Sequence, residues 1–592
     1  MTETSSINET LATINVTWKL EDIYPANDPS QIEQDMIRAA EEAAAICKEY
    51  YQRVAALSPE ELFRLVSRIE RLDCSLGKLA TYGFLNFTTQ VNNAEAGALN
   101  QRIRELVSQC GKETVFFELE WNRISEEHAN AILKNPILAS YNHYLRSMRR
   151  YLPHQLPEAE EKLLLETQPV GRRSWTTLFE KVFGHLKFGP TGRSEEEVLT
   201  DLYHSDRTIR KAAAAELTDG LKSQNHILTH IFNTLAADKM ISDRLRSYDS
   251  WVASMNLGNQ LHDATVDSLV SAVTSRYDLV ERYYQVKRNL LGLEELYDYD
   301  RYAPLPSLPS TKIDWPTCQE TVLASFAEFS QEMADIAGDF FAKSWIHAPV
   351  TSGKRGGAFA HPCVPEIHPY VLVNYTGTLR DVSTVAHELG HGVHQVLAAR
   401  KGYYNSDTPL VLAETASVFA ELLVFNSQLA LIGNDAEKRA FICQKLESIF
   451  ATVFRQTAMN RFEEAMHNGR REKGELSSDT LGEYWLATQR QMFGNSVTLT
   501  EDYGIWWSYI PHFLNTPGYV YSYAFGELLV LALYRIFKQE GRGFIQKYLA
   551  LLSAGGSDSP YELVKPFGID LDSPAFWHQG LDVIEEMVRQ IE

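Results

Sequence analysis

The chain has 592 residues, of which 44% are hydrophobic and 22% charged, a balance typical of globular proteins with a sizeable core. Its 56 basic and 77 acidic side chains give a formal net charge of −21, which argues against nucleic acid and anionic membranes as partners. The six cysteines are scattered without a C-x-x-C pair, so neither a disulfide framework nor a cysteine zinc site is expected.

Apolar residues recur at helical spacing over most of the chain, so the fold is predicted to be mainly α. The predicted helices ahead of the most informative region are 31–56, 59–83, 94–122, 158–166, 194–237, 263–291 and 314–341. Glycines and prolines interrupt this pattern at 153–157 and 188–193. They place a boundary near residue 190, which divides the chain into lobes 1–190 and 191–592.

An extended segment follows these helices. Residues 367–375 are rich in β-branched and aromatic side chains, which predicts a strand. The edge of such a strand can pair with an extended peptide through main-chain hydrogen bonds. A small structural hairpin is the alternative interpretation, and one strand can serve both purposes.

The next segment contains His387-Glu388-Leu-Gly-His391, an H-E-x-x-H motif in a region with helical apolar spacing. Side chains four residues apart lie on one face of an α-helix, so both histidines can bind one metal ion. Glu388 can then reach a water molecule on that ion. This spacing is typical of zinc hydrolases, although a histidine on a helix is more often an ordinary core or surface residue.

The predicted helix has plausible capping residues and one feature that weakens it. Asp381, Ser383 and Thr384 are candidates for the N-terminal cap. Gly390 and Gly392 lie inside the helix, where each costs about 1 kcal/mol relative to alanine. A closely packed second helix, or a substrate lying against the backbone, would compensate for this cost.

A catalytic zinc ion usually has three protein ligands and one water, so two histidines need a partner. The three-histidine class of zinc peptidases would need glycine at 394 and histidine at 397, where this chain has His394 and Leu397. A carboxylate is therefore predicted as the third ligand. Glu414 is the best candidate, because it lies in an apolar helix that begins near Pro409, where an ionised carboxylate needs a partner.

Two carboxylates in this second helix have alternative interpretations. Glu414 can instead form a buried salt bridge. Glu421, two helical turns later on the same face, can orient a metal ligand from behind or can be an ordinary solvated residue.

Tyrosines cluster late in the chain, at Tyr519, Tyr521 and Tyr523, shortly after His512. Their hydroxyls are hydrogen-bond donors of the kind that stabilise the oxyanion formed during peptide hydrolysis. A helix with Pro517 in its first turn would place Tyr519 and Tyr523 on one face and Tyr521 roughly opposite. Aromatic packing is the alternative interpretation of this run.

Several of these segments together resemble the thimet-type zinc oligopeptidases, peptidase family M3, and most closely their bacterial oligoendopeptidase F branch. The zinc-site segments are His-Glu-Leu-Gly-His-Gly-Val-His at 387–394, Tyr-Val-Leu-Val-Asn-Tyr at 370–375 and Glu414 in its apolar helix. Residues 17–25 and 206–212 also resemble that branch. The resemblance therefore spans nearly the whole chain.

The resemblance implies that His387, His391 and Glu414 bind one zinc ion per chain and that Glu388 is the general base. It also implies a two-lobed, mainly α metallopeptidase with a small β-sheet beside the zinc-binding helix and a deep substrate channel. Residues 1–190 would then form an N-terminal helical lobe and residues 191–592 the catalytic domain.

Members of this family also stabilise the oxyanion with a downstream histidine and tyrosines. The resemblance therefore assigns a catalytic role to His512, with Tyr523 favoured over Tyr519. This chain departs from the better-known members, which have Gly-Gly-Tyr followed by Tyr-Tyr-Gly-Tyr. Here the segment reads Pro-Gly-Tyr-Val-Tyr-Ser-Tyr.

The predicted function is a zinc-dependent endopeptidase that hydrolyses short oligopeptides by attack of a zinc-bound water, with Glu388 as general base. A zinc exopeptidase with the same metal site and a non-catalytic helical peptide-binding protein are the alternatives. Short peptides are the predicted partners, and no nucleic acid or membrane is expected. The chain starts without the basic and apolar stretches of a secretory signal, which predicts a cytoplasmic location. The sequence does not determine the oligomeric state.

Overall fold

The computed structural model describes residues 3–25, 28–305 and 312–592. Over these residues the protein is mainly α-helical with one small three-stranded sheet, which confirms the predicted fold class.

The helices of the first part of the chain are Glu3–Thr10 (α1), Pro29–Tyr50 (α2), Pro59–Thr88 (α3), Ala94–Thr114 (α4), Phe116–Arg123 (α5), Glu126–Leu133 (α6) and Asn142–Arg149 (α7). They are followed by Glu158–Thr167 (α8), Arg172–His185 (α9), Glu195–Asp201 (α10), Arg207–Ser223 (α11), Asn225–Leu245 (α12), Ala253–Gly258 (α13), Asp263–Thr274 (α14) and Asp278–Leu290 (α15). Short 3₁₀ helices lie at Val54–Ala56, Pro136–Tyr141, Leu152–His154, Asp298–Asp300, Glu501–Tyr509 and Lys565–Phe567.

The central part of the chain contains Trp315–Phe329 (α16), Gln331–Ala342 (α17), the strands Ile346–His347 (β1), Phe359–His361 (β2) and Tyr370–Leu372 (β3), Leu379–Ala399 (α18), Tyr403–Ser406 (α19) and Leu410–Leu431 (α20). The last helices are Asp435–Thr452 (α21), Phe454–Lys473 (α22), Ser478–Phe493 (α23), His512–Asn515 (α24), Tyr521–Glu540 (α25), Arg542–Ala554 (α26), Pro560–Val564 (α27) and Pro574–Ile591 (α28).

These elements form two compact units, each built from separate stretches of chain. The first unit comprises Met1–Leu152, Ser310–Leu431 and Ile536–Gly568, and the second comprises Pro153–Pro309, Ile432–Arg535 and Ile569–Glu592. The boundary predicted near residue 190 lies inside the second unit. The division into a helical lobe and a catalytic domain stays a prediction.

Several helices that the sequence pattern predicts as continuous are divided in the structure. The predicted helix 31–56 ends at Tyr50, because Gln52 has a φ of 61°, which a right-handed helix does not accommodate. The predicted helix 314–341 is interrupted at Ser330, whose extended backbone and side chain cap α17. The predicted helices 94–122, 194–237 and 263–291 are also divided, without a positive φ or an extended residue at the breaks after Thr114 and Thr274. Apolar periodicity continues across these breaks, so it does not reveal them.

The sheet has the strand order β1-β3-β2, with β1 parallel and β2 antiparallel to β3. The strand predicted at 367–375 is therefore only three residues long and has a partner on each side. The expectation that its edge is open to a peptide is wrong, because β1 and β2 occupy both edges. Tyr370 and Leu372 instead join the apolar core that α2, α3 and α4 form in the first unit.

Helix α18 begins with a capping box in which Thr378 and Asp381 exchange hydrogen bonds between side chain and backbone. The cap is thus Thr378, and the predicted candidate Asp381 completes it from the first turn. The second helix compensates for Gly390, as one of the two expected possibilities. A Cβ atom on Gly390 would lie 2.6 Å from the carbonyl oxygen of Ala416 in α20, so only glycine permits this approach.

Helix α20 has the length and composition of a membrane-spanning helix, with a mean hydropathy of 1.4 over 18 residues. Among the described residues it is the one helix of this kind, and 61% of that stretch is buried inside the protein. Helices α16 and α18 pack against it. This burial is that of a core helix of the first unit.

The second unit contains a buried carboxyl group, that of Glu463 in α22. It is fully buried and accepts a hydrogen bond from the backbone N–H of Gly518, with a distance of 2.9 Å. Gly518 has a φ of 81°, which favours glycine, so this bond secures a turn of restricted geometry. Burial raises the pKa of Glu463 to about 8, and the Gly518 N–H and Lys239 only partly oppose this effect.

We expect Gly390→Ala to destabilise the protein by about 1–3 kcal/mol, because the added methyl group must push two helix backbones apart. Urea unfolding of the purified variant measures this change. The matched control is Gly338→Ala in α17, where an added Cβ meets nothing within 4 Å and alanine favours the helix. Equal stability of the two variants would contradict the close helix contact.

We expect Glu463→Gln to remove a loss of stability that the parent protein suffers between about pH 4.5 and 8. The unfolded carboxyl ionises in that interval while the folded one keeps its proton, so rising pH favours the unfolded state. Thermal unfolding at pH 5 and pH 8 should therefore show similar stabilities at pH 5 and a more stable variant at pH 8. Glu472→Gln, exposed on the same helix, is the control, and parallel pH curves for all three proteins would refute the assignment.

Candidate functional site

Three predicted metal ligands meet in the first unit, where α18 crosses α20. The Nε2 atoms of His387 and His391 each lie 3.4 Å from Oε2 of Glu414. The two imidazole rings are nearly perpendicular, with centroids 4.9 Å apart. The three ligand atoms all lie within 4.8 Å of one another, so one metal ion can contact all of them.

Two further side chains support these ligands. Ser417, one turn after Glu414, donates a hydrogen bond of 2.7 Å to the Glu414 oxygen that faces the histidines. Glu421 lies on the far side of His387, with 3.5 Å between its Oε2 and the Nδ1 atom of that ring. A carboxylate in this position fixes which ring nitrogen carries the proton and leaves the other free for a metal. The structure thus places Glu421 behind a ligand, while Ser417 was not identified from the sequence.

The charges within the cluster shift the pKa values of its own side chains. Burial acts to lower the pKa of His387, but its hydrogen bond with Glu421 and the charge of Glu414 raise that pKa to about 9. Burial acts to raise the pKa of Glu414, yet the neighbouring His391 and His387 lower it to about 2. Glu414 is therefore ionised at neutral pH and is ready to act as an anionic ligand.

Glu388 lies on the same helix but is more buried, with 7% of its surface exposed. Burial raises the pKa of its carboxyl group, and the charges of the neighbouring His387 and His391 only partly oppose this effect. The carbonyl oxygen of Ala360 in β2 accepts a hydrogen bond of 3.4 Å from Gln395, one helical turn after His391. This bond ties β2 to α18, the helix that carries Glu388.

His394, the third histidine of the motif, is not part of the cluster. It is buried, its Nε2 atom lies 3.4 Å from the hydroxyl of Thr408, and burial lowers its pKa to about 4. At neutral pH it is therefore a neutral, buried side chain of the first unit.

His512 and the predicted tyrosines lie in the second unit. The Tyr523 hydroxyl lies 3.3 Å from Nε2 of His512, and the rings of Tyr519 and Tyr523 are 5.0 Å apart in an edge-to-face arrangement. Burial lowers the pKa of His512, which favours its neutral form. The three predicted side chains therefore form one polar group.

The local backbone of this group differs from the prediction. Helix α25 begins at Tyr521, so Pro517 lies in a turn and Tyr519 precedes the helix. The bend at Gly518 brings Tyr519 next to Tyr523 even though one helix does not carry both. Tyr521 is fully buried and accepts a hydrogen bond of 2.8 Å from Asn259, so it belongs to the packing of the second unit.

The sequence matches two descriptions of known protein families. Residues 201–583 match Peptidase family M3, and residues 120–188 match Oligopeptidase F. Oligopeptidase PepF of Bacillus subtilis is 26% identical over 596 residues, covering 97% of this chain and 88% of that protein.

Solved structures show the same fold. A Chlamydophila abortus protein has a TM-score of 0.86 and 25% identity, covering 97% of this chain and 98% of that one. Oligoendopeptidase-F from Enterococcus faecium has a TM-score of 0.73 and 22% identity, covering 95% of this chain and 98% of that one. The chain is therefore a peptidase that belongs to peptidase family M3, in its oligoendopeptidase F branch.

Proposed function

We propose that this peptidase is a zinc-dependent endopeptidase that cleaves short oligopeptides. The observation that carries the proposal is the convergence of His387, His391 and Glu414 on one point, with Glu388 beside them. Similarity to an enzyme described as an oligopeptidase supports short peptides as the substrate class.

The ligand set fits zinc. Two imidazole nitrogens and one carboxylate are donors that a catalytic zinc ion accepts, and a fourth position then remains for water. Tetrahedral bonds of the usual zinc lengths separate neighbouring ligand atoms by about 3.3 Å, close to the two nitrogen–oxygen distances of 3.4 Å. One zinc ion per chain, when bound, supplies a Lewis acid that polarises the scissile carbonyl and lowers the pKa of a coordinated water to about 7.

Glu388 is the proposed general base. Its buried carboxyl group has a raised pKa, which suits a group that accepts and then returns a proton near neutral pH. It takes the proton from the attacking water and delivers it to the leaving nitrogen of the peptide.

His512, Tyr523 and Tyr519 are the proposed oxyanion stabilisers. Their ring N–H and hydroxyl groups are neutral donors, and donors of this type stabilise developing negative charge by several kcal/mol. The contact of 3.3 Å between Tyr523 and His512 supports a joint role, because each side chain orients the polar atom of the other.

The proposal includes a cytoplasmic location and no nucleic-acid or membrane partner. The net charge of −21 supports the absence of these partners, since nucleic acid and anionic membranes repel an acidic chain. An exopeptidase with the same metal ligands is the competing function.

A set of peptides blocked at both ends separates endopeptidase from exopeptidase action. We expect the parent protein to cleave internal bonds of these peptides, a chelator to stop cleavage, and Glu388→Gln to lower the rate about 10²–10⁴-fold while keeping its zinc. Mass spectrometry of the products and metal analysis of the same samples provide the readouts. Glu328→Gln, exposed on α16, is the control. Intact blocked peptides would indicate an exopeptidase, and an active Glu388→Gln variant would remove Glu388 as the base.

Substitution of a proposed zinc ligand should reduce zinc binding more than substitution of a residue that only orients a ligand. We expect Glu414→Ala to abolish stoichiometric zinc, because two histidines alone leave the ion without its anionic ligand. Glu421→Ala should weaken zinc binding about 10–100-fold, as is usual for a carboxylate that orients a ligand histidine. Competition with a fluorescent chelator measures both affinities, and Glu328→Ala is the control. Unchanged zinc content in Glu414→Ala would assign the third ligand elsewhere.

A further inference from the structure

Two arginines of the second unit have no acidic partner among the residues that the structure describes. Arg301 is almost completely buried, with 3% of its surface exposed, and Arg455 is half-buried. No carboxylate of the described residues lies within ion-pairing distance of either guanidinium. Arg301 donates one hydrogen bond of 2.9 Å, from Nε to the carbonyl oxygen of Asp298. Its outer nitrogens form no hydrogen bond with any described residue.

The two guanidinium groups share one aromatic ring. The Cζ atom of Arg301 lies 4.9 Å from the centre of the Tyr302 ring, and that of Arg455 lies 5.4 Å from the same centre. Arg301 also lies 4.9 Å from the centre of the Tyr503 ring. Aromatic faces attract cations, but they do not neutralise them. Two positive charges therefore lie within 5.4 Å of one ring centre.

The acidic side chains nearby are already engaged. Asp300 forms ion pairs with Arg207 and Arg210, at 2.8 Å each. Asp298 accepts hydrogen bonds from the backbone and hydroxyl of Thr500. Each of these carboxylates is thus engaged by partners other than the arginine pair.

Lys287 adds to the positive charge of this region and has its own partner. It forms an ion pair with Glu447 and donates a hydrogen bond of 2.6 Å to the carbonyl oxygen of Arg301. The excess charge is also apparent at Tyr302. Burial acts to raise the pKa of its hydroxyl, yet the charges of Arg455 and Arg301 lower that pKa below its usual value.

A buried, unpaired charge is costly, and a second one beside it increases the cost. The chain contains 77 acidic side chains, yet no described one forms an ion pair with either arginine. An anion that binds from outside the protein would remove the free-energy cost of these unpaired charges. The planar fork of a guanidinium matches a carboxylate through two parallel hydrogen bonds, and two such forks can hold one carboxylate.

We propose that Arg301 and Arg455, beside Tyr302 and Tyr503, form a binding site for a carboxylate group of the peptide substrate. The ligand chemistry rests on the proposed peptidase function, because an oligopeptide carries a carboxylate at its C-terminus and on each acidic side chain. The site is distinct in its residues from the metal ligands and from the predicted oxyanion group.

The test measures binding and cleavage with three peptides of one sequence. The first has a free C-terminal carboxylate, the second a C-terminal amide, and the third the same amide with one glutamate placed at successive positions. Binding is measured by calorimetry on Glu388→Gln protein, so that turnover does not interfere. Arg455→Met removes one charge, Arg455→Lys keeps the charge without the planar fork, and Arg244→Met is a control at an exposed arginine of α12.

We expect a carboxylate-bearing peptide to bind about 10–100-fold more tightly than the plain amide. Arg455→Met should bring this ratio close to one, Arg455→Lys should give an intermediate ratio, and Arg244→Met should leave it unchanged. Preference for the free acid identifies the C-terminus as the ligand, and preference for one glutamate position identifies a side chain. Thermal unfolding of each variant checks folding, and the lysine variant decides the matter if the methionine variant unfolds.

Equal affinity for the acid, amide and glutamate peptides would overturn the proposal, as would a preference that survives Arg455→Met. An inorganic anion as the sole occupant would give equal affinities that change with chloride concentration, which also overturns it. Failure of the peptidase proposal gives a different result, in which the parent protein cleaves none of the three peptides. The binding ratios on Glu388→Gln protein then still decide whether the arginine pair binds a carboxylate.

Discussion

The cluster of His387, His391 and Glu414 depends on how closely two helix backbones approach at Gly390. Because this residue lacks a Cβ atom, the backbone of Ala416 and Ser417 packs directly against α18. That contact fixes the position of Glu414 relative to His387 and His391, whose Nε2 atoms each lie 3.4 Å from its Oε2 atom. A larger side chain would separate the ligands that the two helices contribute. Gly390 thus lowers the helix propensity of α18 but permits the close helix contact on which the geometry of the cluster depends.

The first unit concentrates three carboxylates around two histidines in a largely apolar setting. Such a group is stable only when its charges compensate one another, and the opposite pKa shifts of His387 and Glu414 reflect that compensation. A divalent cation would satisfy the same carboxylates and take the place of the histidine protons. Glu421 and Ser417 then serve to keep the ligand atoms pointing at one position.

The second unit shows the opposite arrangement, in which two cations are left without an anion. Arg301 and Arg455 lie against one tyrosine ring, and the acids around them are bound to other partners. A peptide substrate contains both a polarisable carbonyl and carboxylates. The carboxylate proposal therefore concerns a different chemical group of the peptide from the peptidase proposal, and the two proposals rest on different residues.

The sequence alone determined the features that depend on local spacing. The shared helix face of His387 and His391 follows from their spacing, and the apolar surroundings of Glu414 in its helix marked it as the candidate third ligand. The divided helices, the central position of β3 and the turn at Gly518 were decided only by tertiary structure. Tertiary structure also decided that Ser417 contacts Glu414 and that Ala360 contacts Gln395 of α18. It likewise brought Arg301 and Arg455 to the same tyrosine ring. Contacts between residues distant in the chain leave no periodic signal, because they depend on which surfaces the folded backbone brings together.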